Sequence, residues 1–276
     1  MNTPSRPRAT KIICTIGPAT DTSDMLGQLI EAGANVFRLN MSHSKHDWVR
    51  EVVFRIRRKA AELEANVAIL FDLQGPSIRT GDLAEPYHLK KGDTVEIRLG
   101  TAKPELPFST TVNYDGLLQD VQAGHTMVVD NGGILMRIAE VRPDRLICDV
   151  LTEGVFGSRR HINLPGVALR LPALTEKDLA DLAVAVECET DYVAMSFVRD
   201  AAHIAQLREH IDNLGGKAQI VAKIEDQQAV RHIDDIILAA DVIMVARGDL
   251  GIEVSIEELP IIQRRICLLY TSDAAD

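Results

Sequence analysis

No stretch of this 276-residue chain approaches the ~18–20 consecutive apolar residues that a membrane-spanning helix requires. The longest apolar run, "IILAADVIMVA", is broken by Asp241. Near the N-terminus, the apolar part of "MNTPSRPRATKIICTIGP" is too short for the core of a secretory signal. Both absences point to a cytoplasmic protein with no membrane partner. Cysteine is scarce. Cys14, Cys148, Cys188 and Cys267 are scattered and form no CxxC pair, which argues against a zinc site or a disulfide framework. Positive charge is in deficit, with 30 Lys and Arg against 40 Asp and Glu and a net charge of −10. A phosphate backbone needs a basic face, so nucleic acid is not an expected partner. Neither GxxxxGKS/T nor GxGxxG occurs, so any nucleotide is held by another arrangement. Internal repeats and low-complexity segments are also missing.

What is present is a soluble globular composition, 46% hydrophobic and 25% charged, long enough for one large α/β domain or two smaller ones. Short apolar runs recur: "KIICTIG" (11–17), "NVFRLNMS" (35–42), "VAILFDLQG" (67–75), "DYVAMSFV" (191–198), "QIVAKIE" (219–225) and "DVIMVARGD" (241–249). Their near-continuous apolarity suits strands buried on both faces of a parallel sheet. Amphipathic stretches separate them. "TSDMLGQLIEAGA" offers Ser23 and Asp24 as caps and Gly33 as a stop, and "SKHDWVREVVFRIRRKAAELEAN" spaces Trp48, Val52, Ile56 and Leu63 on one helical face. "LTEKDLADLAVAVECE" opens with Thr175 and acids in its first turn. This serial βα pattern fits a barrel or a doubly wound sheet. From about Asp82 to Asn163 the rhythm changes to alternating runs with turn chemistry at Asp130-Asn131-Gly132-Gly133, and a small all-β domain inserted after the third strand is expected.

In parallel βα architectures, function collects where strands end, and side chains two apart share a face. Arg38, Asn40 and Ser42 share a face, as do Asp72 with Gln74 and Lys223 with Glu225. Arg247 and Asp249 match if their strand persists that far, and Ser196 stands alone. Any one of these could be a helix cap, a turn residue or, for Lys223 and Glu225, a structural ion pair. Five of six strands ending in ionisable or hydroxyl groups point to one polar site, because charge beside a core is costly unless used or paired. Glu225 and Asp249, two carboxylates from adjacent strands with no His or Cys nearby in sequence, suit Mg2+ (or Mn2+) rather than zinc. Lys223, Arg38 and Arg79 supply positive charge for an anionic, phosphorylated substrate. Asn40, Ser42 and Asp72 are hard oxygen donors for a second, monovalent cation. Glycines around Asp249 let backbone N–H groups approach a ligand.

Seven motifs in order, "KIICTIGPAT", "GANVFRLNMSHSKH", "FDLQGPSIRTG", "INLPG", "LPALTEKDLADL", "VAKIEDQQAV" and "IMVARGDLGIE", closely resemble the pyruvate kinase family from about Thr10 to Ile266. The resemblance implies a (β/α)8 TIM-type barrel, here with six of eight strands, interrupted after strand three by a small β-barrel lid. It places barrel residues at 1–75, the lid at 76–165 and the rest of the barrel at 166–266. It implies a glycolytic phosphotransferase passing a phosphoryl group between phosphoenolpyruvate and ADP to give pyruvate and ATP, and a homotetrameric parent. By the family's motifs, Lys223 and Arg38 are catalytic and Glu225 and Asp249 hold Mg2+. Asn40, Ser42, Asp72 and the Leu73 carbonyl hold K+. Arg38, Arg79, Lys223, Ser196, Ala246, Gly248 and Asp249 meet the substrate. Arg38, Asn40, His43, Arg79 and Arg160 lie near the nucleotide.

Departures accompany the match. Ser77 stands where potassium-dependent members usually have Glu and independent ones Lys, which leaves potassium dependence open, and Asn131 replaces an acid of the family's lid turn. The family's last two barrel strands, a threonine that assists enolate protonation and a regulatory domain are not in the sequence. Residues 267–276, "CLLYTSDAAD", do not continue the family's pattern and look like a translated sequencing adapter. The expectation is an artificially truncated gene whose 276-residue product is inactive and prone to aggregate. The alternative enzyme reading is a Mg2+-dependent carbon–carbon lyase acting on pyruvate or oxaloacetate, which the inserted β segment and the "NMSH" and "GPSIRTG" motifs disfavour.

Overall fold

A computed structural model of the chain describes residues 9–273. It begins β1 (Ile13–Ile16), α1 (Ser23–Ala32), β2 (Val36–Asn40), α2 (His46–Glu62), β3 (Ala68–Asp72). The cap of α1 is Thr22, whose hydroxyl accepts from the Met25 N–H, rather than Ser23 or Asp24, which fall inside the first turn. Gly33 ends the helix at φ 98°, a left-handed position that glycine adopts without strain. Helix α2 buries Val49, Val52, Val53, Ile56 and Ala60, the i, i+3, i+4, i+7 stripe of an amphipathic helix.

The chain then leaves the sheet. It runs through β4 (Tyr87–Leu89), β5 (Thr94–Arg98), β6 (Phe108–Thr111), α3 (Leu117–Asp120), β7 (Thr126–Val129), β8 (Ile134–Val141), β9 (Arg145–Val150), β10 (Gly154–Phe156) and β11 (Ile162–Asn163). Six of these strands form one sheet in the order β11-β7-β8-β9-β5-β6, and β10 pairs with β4. The β7–β8 turn places Asp130, Asn131 and Gly132 at positive φ, where Asp, Asn and Gly are the tolerated residues. This segment departs from a purely hairpin-built domain in two ways: α3 forms one helical turn, and β5 pairs with β6 in parallel. It has its own apolar cluster, including Val95, Ile97, Met136, Leu146 and Phe156. An ion pair is buried beside that cluster, with Arg145 donating to Glu96 at 2.8 Å while Glu96 also accepts from the Glu105 N–H.

The remaining elements are α4 (Glu176–Glu187), β12 (Tyr192–Met195), α5 (Ala201–Asn213), β13 (Gln219–Ile224), α6 (Gln227–Arg231), α7 (Ile233–Ala239), β14 (Val242–Val245), α8 (Arg247–Glu253) and α9 (Leu259–Asp273). Thr175 and Asp178 form a reciprocal capping box on α4. Six strands make a parallel sheet in the order β1-β2-β3-β12-β13-β14, so the whole β4–β11 segment is inserted between two neighbouring strands. This is the TIM-type α/β arrangement expected, with six strands among the described residues. Helices pack on its outer face through a core that includes Phe37, Ile56, Phe71, Leu207 and Ile220. Leu70, Ala194 and Val221 form a small cluster on the inner face. No described helix is long and apolar enough to cross a membrane. Of the tail expected at 267–276, residues 267–273 continue α9 and 274–276 lie outside the described residues.

Each of three strands is preceded by a residue that fastens the strand next to it. Asn35 Oδ1 accepts from the Ile12 N–H at 3.0 Å, Asp191 Oδ2 from Ile69 at 2.7 Å, and Asp241 Oδ2 from Ile220 at 2.7 Å. Arg57 from α2 donates to Asp191 and Arg208 from α5 donates to Asp241. The strand-starting end of the sheet is thereby a framework of satisfied polar groups.

Candidate active site

At the opposite end, the strand-ending end, charges crowd together. On β2, the Arg38 Nε–H donates to Asp72 Oδ2 at 2.7 Å, and another guanidinium nitrogen donates to Thr15 at 2.9 Å. At the end of β13, Lys223 Nζ donates to Ser196 Oγ at 2.7 Å and lies 2.7 Å from Glu225 Oε1. Ser196 in turn donates to the Leu73 carbonyl at 2.8 Å. The Phe197 N–H donates to Glu225 Oε2 at 2.8 Å from a left-handed backbone position at φ 56°, local strain that aims this donor at the carboxylate. Lys223, Asp72 and Glu225 are 8%, 2% and 3% exposed, so their charges are held in place of solvent. Burial opposes the ammonium charge of Lys223, but Glu225 and Asp72 outweigh it and raise its pKa, keeping Lys223 protonated. Burial pushes Glu225 up from the usual carboxylate range, with Lys223 pulling the other way.

Asp72 Oδ1 is the exception to this satisfaction. It lies 3.2 Å from Lys223 Nζ without hydrogen-bond alignment, and it is a buried oxygen with no hydrogen-bond partner. An unsatisfied buried anionic oxygen beside a polar cavity fits a cation.

The cavity has a volume of about 360 Å3, and most of the expected residues line it. Arg38, Asn40, Ser42 and His43 reach it from the end of β2, Asp72 and Leu73 from β3, and Lys223 and Glu225 from β13. Arg79, Asn131 and Arg160 reach it from the inserted segment. Ser77, which accepts from both Gln74 and Arg79, also lines it. Asn40 Oδ1 is taken by the Ser42 N–H at 3.1 Å and the Leu73 carbonyl by Ser196, while Arg160 donates to Asp130 at 3.3 Å.

One expectation requires correction. The strand carrying Arg247 and Asp249 does not persist to them: β14 ends at Val245, and residues 247–253 are helix α8. The Ala246 N–H still bonds the Ile224 carbonyl, then Leu250 bonds back to Ala246 and the chain coils. Asp249 therefore enters the cavity from the first turn of a helix, where an acid is favoured by the helix dipole, and Arg247 does not line it. Ala246 is the residue preceding α8 and Gly248 follows in its first turn; neither is among the lining residues. A Cβ built on Gly248 would meet nothing within 4 Å, so the backbone there is open to an approaching group.

Asp130, Arg159, His161 and Phe197 line the cavity without having been anticipated as site residues. His161 stacks obliquely on Phe197, with ring centroids 5.8 Å apart. Burial, reinforced by Arg79, pushes its pKa down to about 4, so it stands neutral beside Asp249. Its main chain forms an isolated bridge to Arg79, joining the stretches that lead into and out of the insert. No sequence period marks it, because β11 is only two residues long.

Glu225 and Asp249 line one cavity, and the charge of Asp249 raises the pKa of Glu225, so the two carboxylates sense each other. Among the described residues no group of three or more His, Cys, Asp or Glu could hold a metal alone. Two carboxylates with remaining positions left to substrate and water suit Mg2+, which keeps waters and binds beside phosphates. The unpartnered Asp72 Oδ1 lines the cavity together with Asn40, Ser42 and Leu73, residues that offer oxygen donors only.

The architecture is that of a TIM-type α/β protein whose strand ends hold a cavity lined by both basic and acidic side chains. The chain belongs to the pyruvate kinase family: the family's barrel domain, described as "Pyruvate kinase, barrel domain", matches residues 7–273. The chain is 40% identical over 272 residues to plastidial pyruvate kinase 2 of Arabidopsis thaliana, covering 98% of this chain and 46% of that protein. It is 39% identical over 268 residues to a pyruvate kinase of Mycobacterium tuberculosis strain H37Rv (97% and 57%). With a pyruvate kinase of Geobacillus stearothermophilus it shares 40% identity over 261 residues (93% and 44%). The chain spans about half the length of the curated relatives it matches.

Proposed function

We propose that the protein transfers a phosphoryl group from phosphoenolpyruvate to ADP, giving pyruvate and ATP. The observation that carries this reading is the protonated Lys223, held by Ser196, Glu225 and Asp72 in the wall of a cavity that Arg38 and Arg79 also line. In the reaction a terminal oxygen of ADP forms a bond to phosphorus and the enol oxygen–phosphorus bond breaks. The enolate left behind takes a proton at its methylene carbon. Negative charge spreads over the phosphoryl oxygens and grows on the enolate oxygen, and fixed positive groups stabilise both. Lys223 suits the bridging region, and Arg38, held by Asp72 and Thr15, suits the phosphoryl oxygens. Arg79, His43, Asn40 and Arg160 face the same space from both sides and suit the nucleotide phosphates. The open backbone at Gly248 suits the substrate carboxylate.

Glu225 and Asp249 would hold Mg2+ or Mn2+, which supplies charge neutralisation between the phosphates. Asp72, Asn40, Ser42 and the Leu73 carbonyl would hold K+. Ser77 adds no charge beside that site, so positive charge there has to come from the ion, and we propose that activity depends on potassium.

The test is ATP formation from phosphoenolpyruvate and ADP by the intact gene product, run beside oxaloacetate cleavage. Mg2+-dependent ATP formation is expected. Oxaloacetate cleavage without ATP formation would favour the lyase reading instead.

A further inference from the structure

Glu253 takes no part in the site described above, yet it joins the two bodies that form it. It closes α8, one helical turn beyond Asp249. The Asn163 side chain and the Gly166 main chain lie against its carboxylate and favour its charged form, and all three residues line one small cavity. Its carbonyl accepts from the side-chain amide of Gln227, two residues past Glu225. Asn163 belongs to the inserted sheet, where it pairs with Val128 of β7. Gly166, at φ 77°, lies in the chain returning to the barrel. Asn163 is 7% exposed and its Oδ1 has no hydrogen-bond partner. A neighbouring cavity of about 70 Å3, lined in part by Ile78, Leu164, Phe197 and Arg199, leaves this junction room to shift.

We infer that Glu253 is a positioning residue: its contacts with Asn163 and Gly166 couple the placement of the inserted β segment to that of α8, and so to Asp249. This rests on the phosphoryl-transfer reading, in which Asp249 holds the divalent cation and the insert brings Arg79 and Arg160 over the nucleotide. Movement of the insert pulls on Asn163, Asn163 pulls on the end of α8, and a seven-residue helix transmits that pull to its first turn. Gln227 fastens the same helix to the segment carrying Glu225, so both carboxylates of the site are referred to one anchor. Arg199, Glu225, Asp226 and Arg231 are the charged groups that share its cavity, and Asp226 is itself occupied in capping α6.

The experiment uses the intact protein with Glu253→Ala, Glu253→Gln, Asn163→Ala and the double alanine variant. Mn2+ binding is measured by calorimetry in the absence of substrate, with kcat, the KM for phosphoenolpyruvate and the melting temperature alongside. Residues that orient a metal ligand typically cost ~10–100-fold in affinity or activity when removed, so Glu253→Ala is expected to weaken Mn2+ binding and lower kcat by about tenfold. KM for phosphoenolpyruvate should change by less than about threefold, because the arginines that bind the phosphate are untouched. Glu253→Gln keeps an acceptor of the same shape and should recover most of the loss. The double variant should be no worse than the stronger single one, the mark of residues acting on one path. Mn2+ affinity and kcat within twofold of wild type in Glu253→Ala, even with a lowered melting temperature, would overturn the inference. So would Asn163 and Glu253 effects that multiply. A wild-type protein that binds Mn2+ but makes no ATP would defeat the phosphoryl-transfer reading instead, and the Mn2+ titration would still decide the latch.

Discussion

The two ends of the six-stranded sheet carry the same kinds of residue and use them in opposite ways. At the strand-starting end, Asp191 and Asp241 each take one backbone N–H from a neighbouring strand and one arginine from a helix. Those carboxylates are roughly a third exposed, and every contact they make is internal to the framework. At the strand-ending end, Asp72 and Glu225 are buried, flanked by Lys223 and Arg38, and one oxygen of Asp72 is left without a hydrogen bond. A buried acid with unspent acceptor capacity is a cost to the fold, and in barrels of this type such costs concentrate where ligands bind. The difference is therefore one of satisfaction rather than composition: complete satisfaction marks the scaffold, incomplete satisfaction marks the site.

Substitutions at the two ends should separate accordingly. The largest effect is expected from Lys223→Met, which removes the charge proposed to face the transferring group. Loss of a preorganised charge-stabilising donor costs ~10²–10³ in kcat and a full ammonium at least as much, so a fall of about 10³ or more is expected, with the circular dichroism spectrum unchanged. Next is Asp72→Asn. The amide can still accept from Arg38, but the anionic oxygen is gone. Activation by K+ should disappear and kcat should fall by roughly 10–100-fold, read from a K+ titration of the initial rate.

At the other end, Asp241→Ala leaves the buried Ile220 N–H without its acceptor and Arg208 with only the Ala218 carbonyl. It should cost about 2 kcal/mol in denaturant unfolding, the usual range for an orphaned buried group, with kcat unchanged within twofold. Glu253 offers a pH test. Burial, with Asp226 adding to it, raises its pKa to about 7. A carboxyl raised on folding binds its proton more tightly in the native state, so its contribution to stability falls as pH rises from the unfolded value near 4.5 toward 7. Glu253→Gln should remove that fall, so that the stability difference between variant and wild type moves by on the order of 1–2 kcal/mol in favour of the variant across this window. The smallest effect is expected from Thr175→Ala, which breaks the capping box of α4. It should lower stability by about 1 kcal/mol and leave catalysis alone.

The comparison also shows what the amino-acid sequence reveals and what it hides. Arg38, Asp72, Lys223 and Glu225 were legible because a strand repeats every two residues, and parity alone places them on one side. The six strands were legible as near-continuous apolar runs. Asp249 was assigned to the right cavity but to the wrong element. "VIMVARGD" reads as one strand, whereas the chain turns into a helix at Ala246, and only the spatial path of β14 decides that. "DQQAVRHIDDIILAA" reads as one helix and divides at His232 into α6 and α7. The parallel β5–β6 pair, the role of Glu253 and the position of His161 depend on contacts between residues far apart in sequence. Asn163 lies 90 positions from Glu253, and no local period can report a contact of that kind. Asp191 and Asp241 were visible as polar residues ahead of strands, but their function as fasteners needs the neighbouring strand in place.

The central claim is that one end of the sheet is a phosphoryl-transfer site and the other its scaffold. The most direct measurement sets Lys223→Met beside Asp241→Ala in the intact protein, recording Mg2+-dependent ATP formation from phosphoenolpyruvate and ADP together with the denaturant midpoint. The account predicts a crossed result: Lys223→Met folds and makes no measurable ATP, while Asp241→Ala is less stable and keeps its rate. Retained ATP formation in Lys223→Met, or equal losses of rate in both variants, would contradict it.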